Sequence, residues 1–467
     1  MSLPAPMAFA AQLVGHGVDL TWTADASLPP GTLFTVQRWS PDAVPQAWTT
    51  VSETTGTTAR VERLSSPVRH SFRVKASAGT QYSAWTSIKV VYAEPALPVV
   101  RIDTGGKPIL DKETYVAGTF DLDPNGQPGA HVATAVEVKG RGNSTWTLPK
   151  KPYRVKLQSS TSLLGMPASR HWVLLANYLD RSQLRTFSAF GISASTGLAW
   201  TPRARHVELI LNGEYEGVYQ LVEHVRVAAD RVNITSLGPT DITGDAVTGG
   251  YLIELDGWLP GPGEVGFSTR RHVPFTMQDP ELPAPEQLAY IKDYVQRFED
   301  ALFSPSFADP TTGYAAYLDV SSLIDWYLVE EVTRNQDAFF SSTYMYKPRS
   351  QKLFFGPVWD FDLSMGSTNG WDKSTPDGWW VRTKTPWMAR FFQDPAFARR
   401  VADRWDQLKP VFDAMPGIID ATGATLTGPI AADDVRWSKS PSPVNKPSFV
   451  SGWLRQRIAW IDSNIHP

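Results

Sequence analysis

The sequence predicts an α+β protein in which a small all-β sandwich precedes a larger, two-lobed domain. Short segments of alternating apolar and polar residues, separated by Pro and Gly, fill residues 1–95. The alternation continues over about 99–227, whereas from residue 286 onward apolar residues recur at helical spacing. We therefore expect a sandwich at 1–95 and a second domain at 99–467, with a β-rich lobe over about 99–227 and a helical lobe over about 286–467.

The N-terminal module is predicted from three strand candidates, VDLTW (18–22), FTVQR (34–38) and FRVKA (72–76). Strands of this length and spacing are typical of a sandwich. The pattern resembles a fibronectin type III module, although His70 stands where that family usually has a tyrosine. The Pro-containing segment Glu94–Pro98 predicts a stiff linker after the module.

Composition excludes several classes of protein. A chain of 467 residues with 42% hydrophobic and 19% charged residues is globular and too long for a single core. The net charge of −3, without a basic stripe, gives no indication of a nucleic-acid partner. Cysteine is absent, which excludes disulfides, thiolate metal sites and cysteine nucleophiles. The sequence contains no run of about 18 apolar residues, so no transmembrane helix is expected. The start of the chain, Met1–Pro4, is not typical of a signal peptide.

The β-rich lobe is predicted from local patterns. Val136–Lys139 and Lys150–Leu157 alternate as strands do, and Asn212-Gly213 between two apolar runs is a strong hairpin signal. Asp180 precedes good helix formers, which predicts a helix to about Ser195. The Gly- and Pro-rich stretch 228–290 shows no periodicity that assigns its structure.

The helical lobe is predicted from two apolar stripes. They comprise Val320, Leu323, Ile324, Tyr327, Leu328 and Val332, and then Val450, Leu454, Ile458, Ile461 and Ile465. Each stripe gives a helix one apolar face. The 18 tryptophans are interpreted mainly as core residues, because buried aromatic rings dominate packing, with sugar-stacking platforms as the alternative.

The strongest functional pattern is a set of aspartates late in the chain. Phosphate-loop, GxSxG and HExxH motifs are absent. Asp337 follows the first predicted helix, and two strand candidates, Thr343–Tyr346 and Lys352–Phe355, lead to Asp360 and Asp362. A hairpin there would bring the three carboxylates to neighbouring ends, which predicts a site for Mg²⁺ or Mn²⁺.

This pattern has two interpretations. A metal held by carboxylates opposite a lysine from a β lobe is the core of phosphoryl transfer. Taken singly, each aspartate is more simply explained as a helix or turn cap. One aspartate follows a helix and the other two follow a hairpin, and this order along the chain favours the functional interpretation.

Several segments, in order along residues 100–467, resemble the CotH kinase family, which is named for a spore coat protein. They are RGNSTW (141–146), PKKPYRVK (149–156), LLGM (163–166), WVLLANY (172–178), LNGEYEGVY (211–219) and GPVWDFD (356–362). The resemblance implies an atypical protein-kinase-like fold. It also implies an exported protein, since family members are largely secreted or surface proteins and some phosphorylate coat proteins.

The resemblance assigns roles to individual residues. It implies that Lys151 contacts nucleotide phosphates, that Asp337 is the catalytic-loop aspartate and that Asp360 binds metal. Asp362 either shares the metal or accepts backbone N–H groups. Ser342 stands where many members place an asparagine that holds a second metal, and a hydroxyl is a poorer cation ligand than an amide carbonyl.

Further residues are candidates for the nucleotide site, and several of them also have a structural interpretation. Glu223 lies in a segment expected to face the adenine. Arg141 lines the phosphate site or belongs to a tight turn at neighbouring glycines. Lys150 and Lys156 are ligands or solvated strand residues, and Asp180 is best explained as a helix cap.

Two main functions follow. The first is a kinase that uses ATP and Mg²⁺ or Mn²⁺ to phosphorylate Ser or Thr of an extracytoplasmic protein substrate. The second is a weakly active or inactive coat or surface protein for adhesion or assembly. A third is a carbohydrate-associated protein using Trp371, Trp379 and Trp380. In each case we expect a secreted or cell-surface location, with the native signal peptide removed from this sequence.

Overall fold

A computed structural model gives the fold of the protein and confirms the α+β class. It describes residues 2–14, 17–40, 47–62, 69–92, 97–258, 260–261, 263–370, 375–437, 439 and 442–466. The chain forms two compact units: Met1–Tyr178, Arg205–Leu221 and Thr425–Pro441 in the first, and Leu179–Ala204, Val222–Ala424 and Ser442–Pro467 in the second. The predicted linker at Glu94–Pro98 falls mostly on residues 93–96, outside the described residues, so the boundary near residue 95 stays a prediction.

The N-terminal module is the predicted all-β sandwich. Its strands are β1 (Met7–Val14), β2 (Gly17–Thr23), β3 (Leu33–Trp39), β4 (Thr49–Thr54), β5 (Thr58–Val61), β6 (Arg69–Ala78), β7 (Gln81–Tyr82) and β8 (Lys89–Tyr92). One sheet has the order β1-β2-β5 and the other β4-β3-β6-β7, with β8 also paired to β6. Alternate residues such as Val18, Leu20, Phe34 and Val36 are buried in one core, as the pattern predicts.

The β-rich lobe is a closed seven-stranded barrel. Its strands are β9 (Val99–Asp103), β10 (Val116–Asp123), β11 (Val132–Gly140), β12 (Tyr153–Thr161), β13 (Ser169–Leu175), β14 (Ala204–Leu211) and β15 (Glu214–Glu223). They close in the order β10-β11-β12-β13-β15-β14-β9, with β14 parallel to β9. The predicted hairpin is confirmed: Asn212 and Gly213, at φ of 52° and 81°, join β14 to β15.

The helices and remaining strands follow from residue 185. They are α1 (Arg185–Ser193), β16 (Tyr251–Leu255), β17 (Gly266–Ser268), β18 (Pro274–Asp279), α2 (Pro285–Leu302), α3 (Val320–Thr333), β19 (Thr343–Lys347), β20 (Phe354–Phe355), α4 (Val381–Lys384), α5 (Pro386–Phe391), α6 (Pro395–Arg436) and α7 (Pro447–Asp462). The strands of this part form a five-stranded sheet in the order β17-β18-β16-β19-β20. Its central strand β16 comes from the stretch 228–290 that the sequence left unassigned.

Two helix predictions need correction. The helix predicted from Asp180 begins at Arg185, because the intervening residues form a turn in which Asp180 accepts hydrogen bonds from the N–H groups of Ser182 (3.2 Å) and Arg185 (2.8 Å). Asp180 therefore caps the helix from outside it. Helix α3 was expected to bury one face, but every residue except Ser321 is buried, because α1, α4, α7 and β20 all contact it.

The end of α6 packs against the barrel within the first unit. Asp433 lies 2.5 Å from Lys150 Nζ and accepts a hydrogen bond from Val218 N at 3.0 Å. Gly217, at φ of 92°, leaves room for this carboxylate, since a Cβ there would lie 2.0 Å from Asp433 Oδ1. Lys150 is not the solvated strand residue of one prediction, because it is fully buried and paired, and its alternative role as a ligand stays a prediction. Lys156 lies on the strand surface and pairs with Glu137 at 2.7 Å.

Candidate active site

The candidate site begins where α3 ends. Asp319 caps the start of α3 by accepting a hydrogen bond from Ser322 N, and Arg334 ends the helix in the left-handed conformation. Three residues later, Asp337 lies half-buried in the loop that follows. The predicted helix-then-aspartate order is therefore confirmed as geometry.

Asn335 joins the two parts of the site, and the sequence analysis did not single it out. Its side-chain amide donates to Glu330 Oε2 at 2.8 Å and to the backbone oxygen of Asp360 at 3.0 Å. Its carbonyl accepts from Asp337 N at 3.2 Å. One buried amide thus fixes the catalytic-loop candidate relative to the aspartate that follows the hairpin. The sequence signal that could have identified Asn335 is its position as a polar residue just past the end of a helix.

The hairpin forms as predicted and delivers the second carboxylate. Strands β19 and β20 pair antiparallel, with Met345 opposite Phe355. Asp360 follows at φ of 64°, a left-handed conformation that is uncommon for a residue other than glycine. Strain of this kind is concentrated at functional sites.

The three aspartates influence one another electrostatically. Burial, followed by the charge of Asp360, raises the pKa of Asp337 to about 7. Burial raises the pKa of Asp362 well above its ordinary value, and the charges of Asp360 and Asp337 add to this. Asp337 and Asp362 therefore both respond to the charge of Asp360, and the convergence of the three carboxylates on one metal stays a prediction.

A half-buried lysine balances part of this negative charge. Lys384 donates a hydrogen bond to the backbone oxygen of Gln336, next to Asp337. Burial lowers the pKa of Lys384 to about 8, whereas the charges of Asp337 and Glu330 act in the opposite direction. Lys384 was not predicted, because it lies 47 positions beyond Asp337 in the sequence, on α4.

Asp362 also lies near the buried ion pair between Arg185 and Asp180. Arg185 Nη1 lies 2.6 Å from Asp180 Oδ1, and both side chains are fully buried. Asp180 raises the pKa of Asp362 and Arg185 lowers it. The guanidinium also donates to the backbone oxygens of Ser364 (2.9 Å) and Val444 (2.8 Å), so Arg185 holds the segment after Asp362 in place.

The three carboxylates were predicted to form a metal site. Among the described residues, no group of three or more acidic or histidine side chains is arranged to hold a metal ion. Mg²⁺ is usually held by one or two carboxylates together with substrate phosphates, not by a complete protein cage. The metal roles predicted for Asp360, Asp362 and Ser342 stay predictions.

Ser342 lies in the same loop with its backbone fixed. It adopts φ of 56°, and its N–H donates to Glu254 Oε1 at 3.1 Å. Its hydroxyl lies 3.3 Å from that of Ser341. Asparagine tolerates the left-handed conformation better than serine does, so the backbone here suits the residue that the family pattern expects.

The predicted phosphate-contacting residues lie in the first unit. Lys151 is half-buried, and its Nζ donates to the backbone oxygen of Trp146 at 2.7 Å. Arg141 is half-buried beside Gly142, whose φ is 84° and where a Cβ would meet Thr145 Oγ1 at 2.2 Å. This tight turn agrees with one of the two interpretations of Arg141, and the roles of both residues in nucleotide binding stay predictions.

Glu223 is a buried carboxylate at the end of β15. It accepts hydrogen bonds from Arg203 N and Nη1, both at 2.9 Å, and lies 2.8 Å from Arg231 Nη1. Burial raises its pKa, and the two arginines oppose that effect. These contacts give Glu223 a structural role, and its predicted place near adenine stays untested.

The tryptophans contribute mostly to the interior. Trp172, Trp326, Trp387 and Trp405 are among the largest fully buried side chains. Trp379 and Trp380 are half-buried, and Trp371 lies outside the described residues.

Among the helices of the described chain, none has the length and apolarity needed to cross a bilayer.

Comparisons with known proteins point to one family. The family model described as CotH kinase protein matches residues 138–461. No curated protein matches the chain.

Solved structures are similar only at a low level. A computationally redesigned β-sandwich protein is 21% identical over 20% of this chain and 91% of its own, with a TM-score of 0.18. The FN1–FN3 domains of chicken CNTN1 are 15% identical over 37% and 66%, with a TM-score of 0.20. Titin kinase with its flanking domains is 11% identical over 53% and 43%, also at 0.20. At these scores the similarity carries no argument about the site.

Proposed function

Because the chain belongs to the CotH kinase family, we propose that it is an atypical protein kinase that uses ATP and Mg²⁺ or Mn²⁺. Its proposed acceptors are Ser or Thr side chains of secreted, coat or cell-surface proteins. The observation that carries this proposal is the electrostatic coupling of Asp337 to Asp360 and Asp362 at the end of α3.

Asp337 is suited to accept the proton of an acceptor hydroxyl. A general base is most effective when its pKa lies near the working pH, and that of Asp337 is raised to about 7. Asn335 orients the loop through Asp337 N, and Lys384 keeps a positive charge beside it. These residues hold the base in place.

Asp360 and Asp362 are the residues that would hold a divalent cation. They fit one, because mutually repelling carboxylates in a buried site are hard oxygen donors whose charge a cation neutralises. A bound cation supplies charge neutralisation at the phosphate oxygens. The resemblance assigns Lys151 to the nucleotide phosphates, and Arg141 is a second candidate for that contact.

A second candidate is a kinase-like protein with weak or no activity, acting in adhesion or assembly. Ser342 favours it, because its short hydroxyl stands where an amide ligand is expected and lies against Ser341. A cation with fewer ligands stabilises the developing charge less well.

Substituting Ser342 by asparagine distinguishes the two candidates. The native chain should gain thermal stability from ATP with Mg²⁺, and Ser342→Asn should raise autophosphorylation about tenfold, which needs only about 1.4 kcal/mol. Asp337→Asn in that background should abolish it. Ser341→Asn is the matched control and should change nothing.

The outcomes separate cleanly. Nucleotide binding without any gain in Ser342→Asn favours the inactive candidate. If neither the native chain nor Ser342→Asn is stabilised by ATP with either metal, the kinase proposal is wrong.

A further inference from the structure

Lys384 lies beside the candidate base, and its position indicates a role beyond holding the loop. The loop from Asn335 to Ser342 contains no lysine or arginine of its own. The ammonium of Lys384, at the end of α4, donates a hydrogen bond to the backbone oxygen of Gln336. That oxygen belongs to the same peptide group as Asp337 N. A helix distant in the sequence thus supplies the positive charge that the aspartate loop lacks.

Helix α4 is fixed on α3 by a buried carboxylate. Glu331, on α3, accepts hydrogen bonds from Trp380 N and Arg382 N, both at 2.8 Å, at the start of α4. The ammonium of Lys384 also lies 4.8 Å from the centroid of the Trp380 ring. Because the aspartate loop follows α3 directly, α3 positions both the base and the cation.

Arg334, the basic residue next to the loop in the sequence, is directed elsewhere. Its Nη1 donates to the backbone oxygens of Asp377 at 2.6 Å and Gly378 at 2.9 Å. The cation that acts on Asp337 is Lys384, whose charge lowers the pKa of that carboxyl against the larger effect of burial. Lys384 is therefore the cation closest in effect to the base.

The geometry of phosphoryl transfer determines what lies near such a base. A general base lies about 2.6–3.2 Å from the acceptor hydroxyl, and the reacting atoms approach to about 3–3.5 Å. The phosphorus to be transferred therefore lies within about 7 Å of the Asp337 carboxylate. In the transition state, negative charge spreads over the oxygens of that phosphoryl group. A cation at the aspartate loop is placed to neutralise this charge.

We propose that Lys384 contacts the γ-phosphate of bound ATP and is a catalytic residue, an inference that rests on the proposed kinase function. The acceptor oxygen forms a bond to the γ-phosphorus, and the bond from that phosphorus to the β–γ bridging oxygen breaks. ADP leaves with the bonding electron pair, and the hydroxyl proton goes to the Asp337 carboxylate. The ammonium stabilises the charge on the non-bridging oxygens, and its fixed position means that no reorganisation is needed.

A lysine can make this contact without leaving the loop. An ammonium has three N–H donors, so one group serves more than one acceptor. A lysine that only offsets the charge of Asp337 would act equally on ATP and ADP. A lysine that contacts the γ-phosphate acts on ATP alone, because ADP has no such group.

The test compares ATP and ADP binding to the whole chain with Mg²⁺ by isothermal titration calorimetry. The native chain should bind ATP more tightly than ADP. Lys384→Met should weaken ATP binding about tenfold, because a charge-assisted hydrogen bond is lost, and should leave ADP binding unchanged. Arg382→Met is the matched control, since it removes a charge from the same helix, but its guanidinium lies over the Phe392 ring at 4.2 Å. The control should change neither affinity.

A second measurement uses the native chain and needs no variant. Burial lowers the pKa of Lys384 to about 8, so its neutral amine is available at pH 8 for acylation by N-acetoxysuccinimide. Mass spectrometry should show that ATP with Mg²⁺ slows this acylation more than ADP with Mg²⁺ does. Lys352 is the reference, because its ammonium is exposed and donates to the backbone oxygen of Ala315 at 2.6 Å. Its acylation should be the same with either nucleotide.

The outcomes separate this inference from the proposed function. If the native chain binds both nucleotides and folded Lys384→Met changes their affinities equally or not at all, the γ-phosphate contact is wrong and the kinase proposal stands. If Lys384→Met does not fold, equal acylation of native Lys384 with ATP and with ADP overturns the contact. A native chain that binds neither nucleotide overturns both.

Discussion

Replacing Asp360 by asparagine tests whether this carboxylate serves a function or stabilises the fold. A structural aspartate stabilises the fold, so its loss destabilises. Asp360 instead raises the pKa of both Asp337 and Asp362, so its charge opposes folding. Asparagine keeps the size of the side chain and tolerates the φ of 64° at this position. We therefore expect Asp360→Asn to be more stable than the native chain when no ligand is present.

The magnitude follows from the pKa of Asp337. Its rise from 3.8 to about 7 corresponds to about 4 kcal/mol above pH 7. Burial is the larger cause, and the side chain retains some solvent, so the share of Asp360 is about 1–2 kcal/mol after screening. For a domain of about 370 residues, such a gain corresponds to a rise in melting temperature of about 1–3 °C.

The pH dependence has a definite sign. Asp337 has a raised folded-state pKa, so its ionisation destabilises the native state at pH 8, and that cost shrinks as the pH falls through about 7. The advantage of Asp360→Asn should therefore be larger at pH 8 than at pH 5.

Thermal unfolding with and without ATP and Mg²⁺ measures both effects. At pH 8 without ligand the variant should melt higher than the native chain. With ATP and Mg²⁺ it should gain none of the stabilisation that the native chain gains. A variant that melts lower without ligand, or that keeps full metal-dependent stabilisation, would refute the assignment of Asp360 as a metal-binding carboxylate.

Three further predictions test other parts of the structure. Asp433→Ala should lower the free energy of unfolding by about 3–5 kcal/mol, because it leaves the buried Lys150 unpaired. The control Asp434→Ala should lower it by about 1 kcal/mol or less. Equal values for the two variants in urea unfolding would contradict this prediction. Lys384→Met should raise the pKa of Asp337 and move the acidic limb of the autophosphorylation pH profile upward, so an unmoved limb argues against that role. Residues 99–467 expressed alone should keep the full ATP-induced stabilisation, and its loss would place the N-terminal module in nucleotide binding.

Local patterns in the sequence were enough to predict much of the fold. Alternation identified the strands of the sandwich and barrel, and Asn212-Gly213 identified a hairpin, because side-chain period and turn chemistry are properties of short segments. The order of Asp337, hairpin and Asp360 was predictable for the same reason, since the residues that bring them together lie between them in the chain.

Long-range burial and pairing decided what the sequence could not. Lys150 and Lys151 are adjacent and chemically identical, yet Lys150 is fully buried because Asp433, 283 positions away, reaches it from the end of α6. The stretch 228–290 has no clear period, yet its strand β16 is central because β18 and β19 pair with it on both sides. Lys384 likewise reaches the Asp337 loop only through the packing of α4. The sequence by itself determined which local elements form and which residue types could do chemistry. The tertiary structure alone decided which of those charges lose water and which partner they meet, because desolvation and ion pairing depend on neighbours that are distant in the chain.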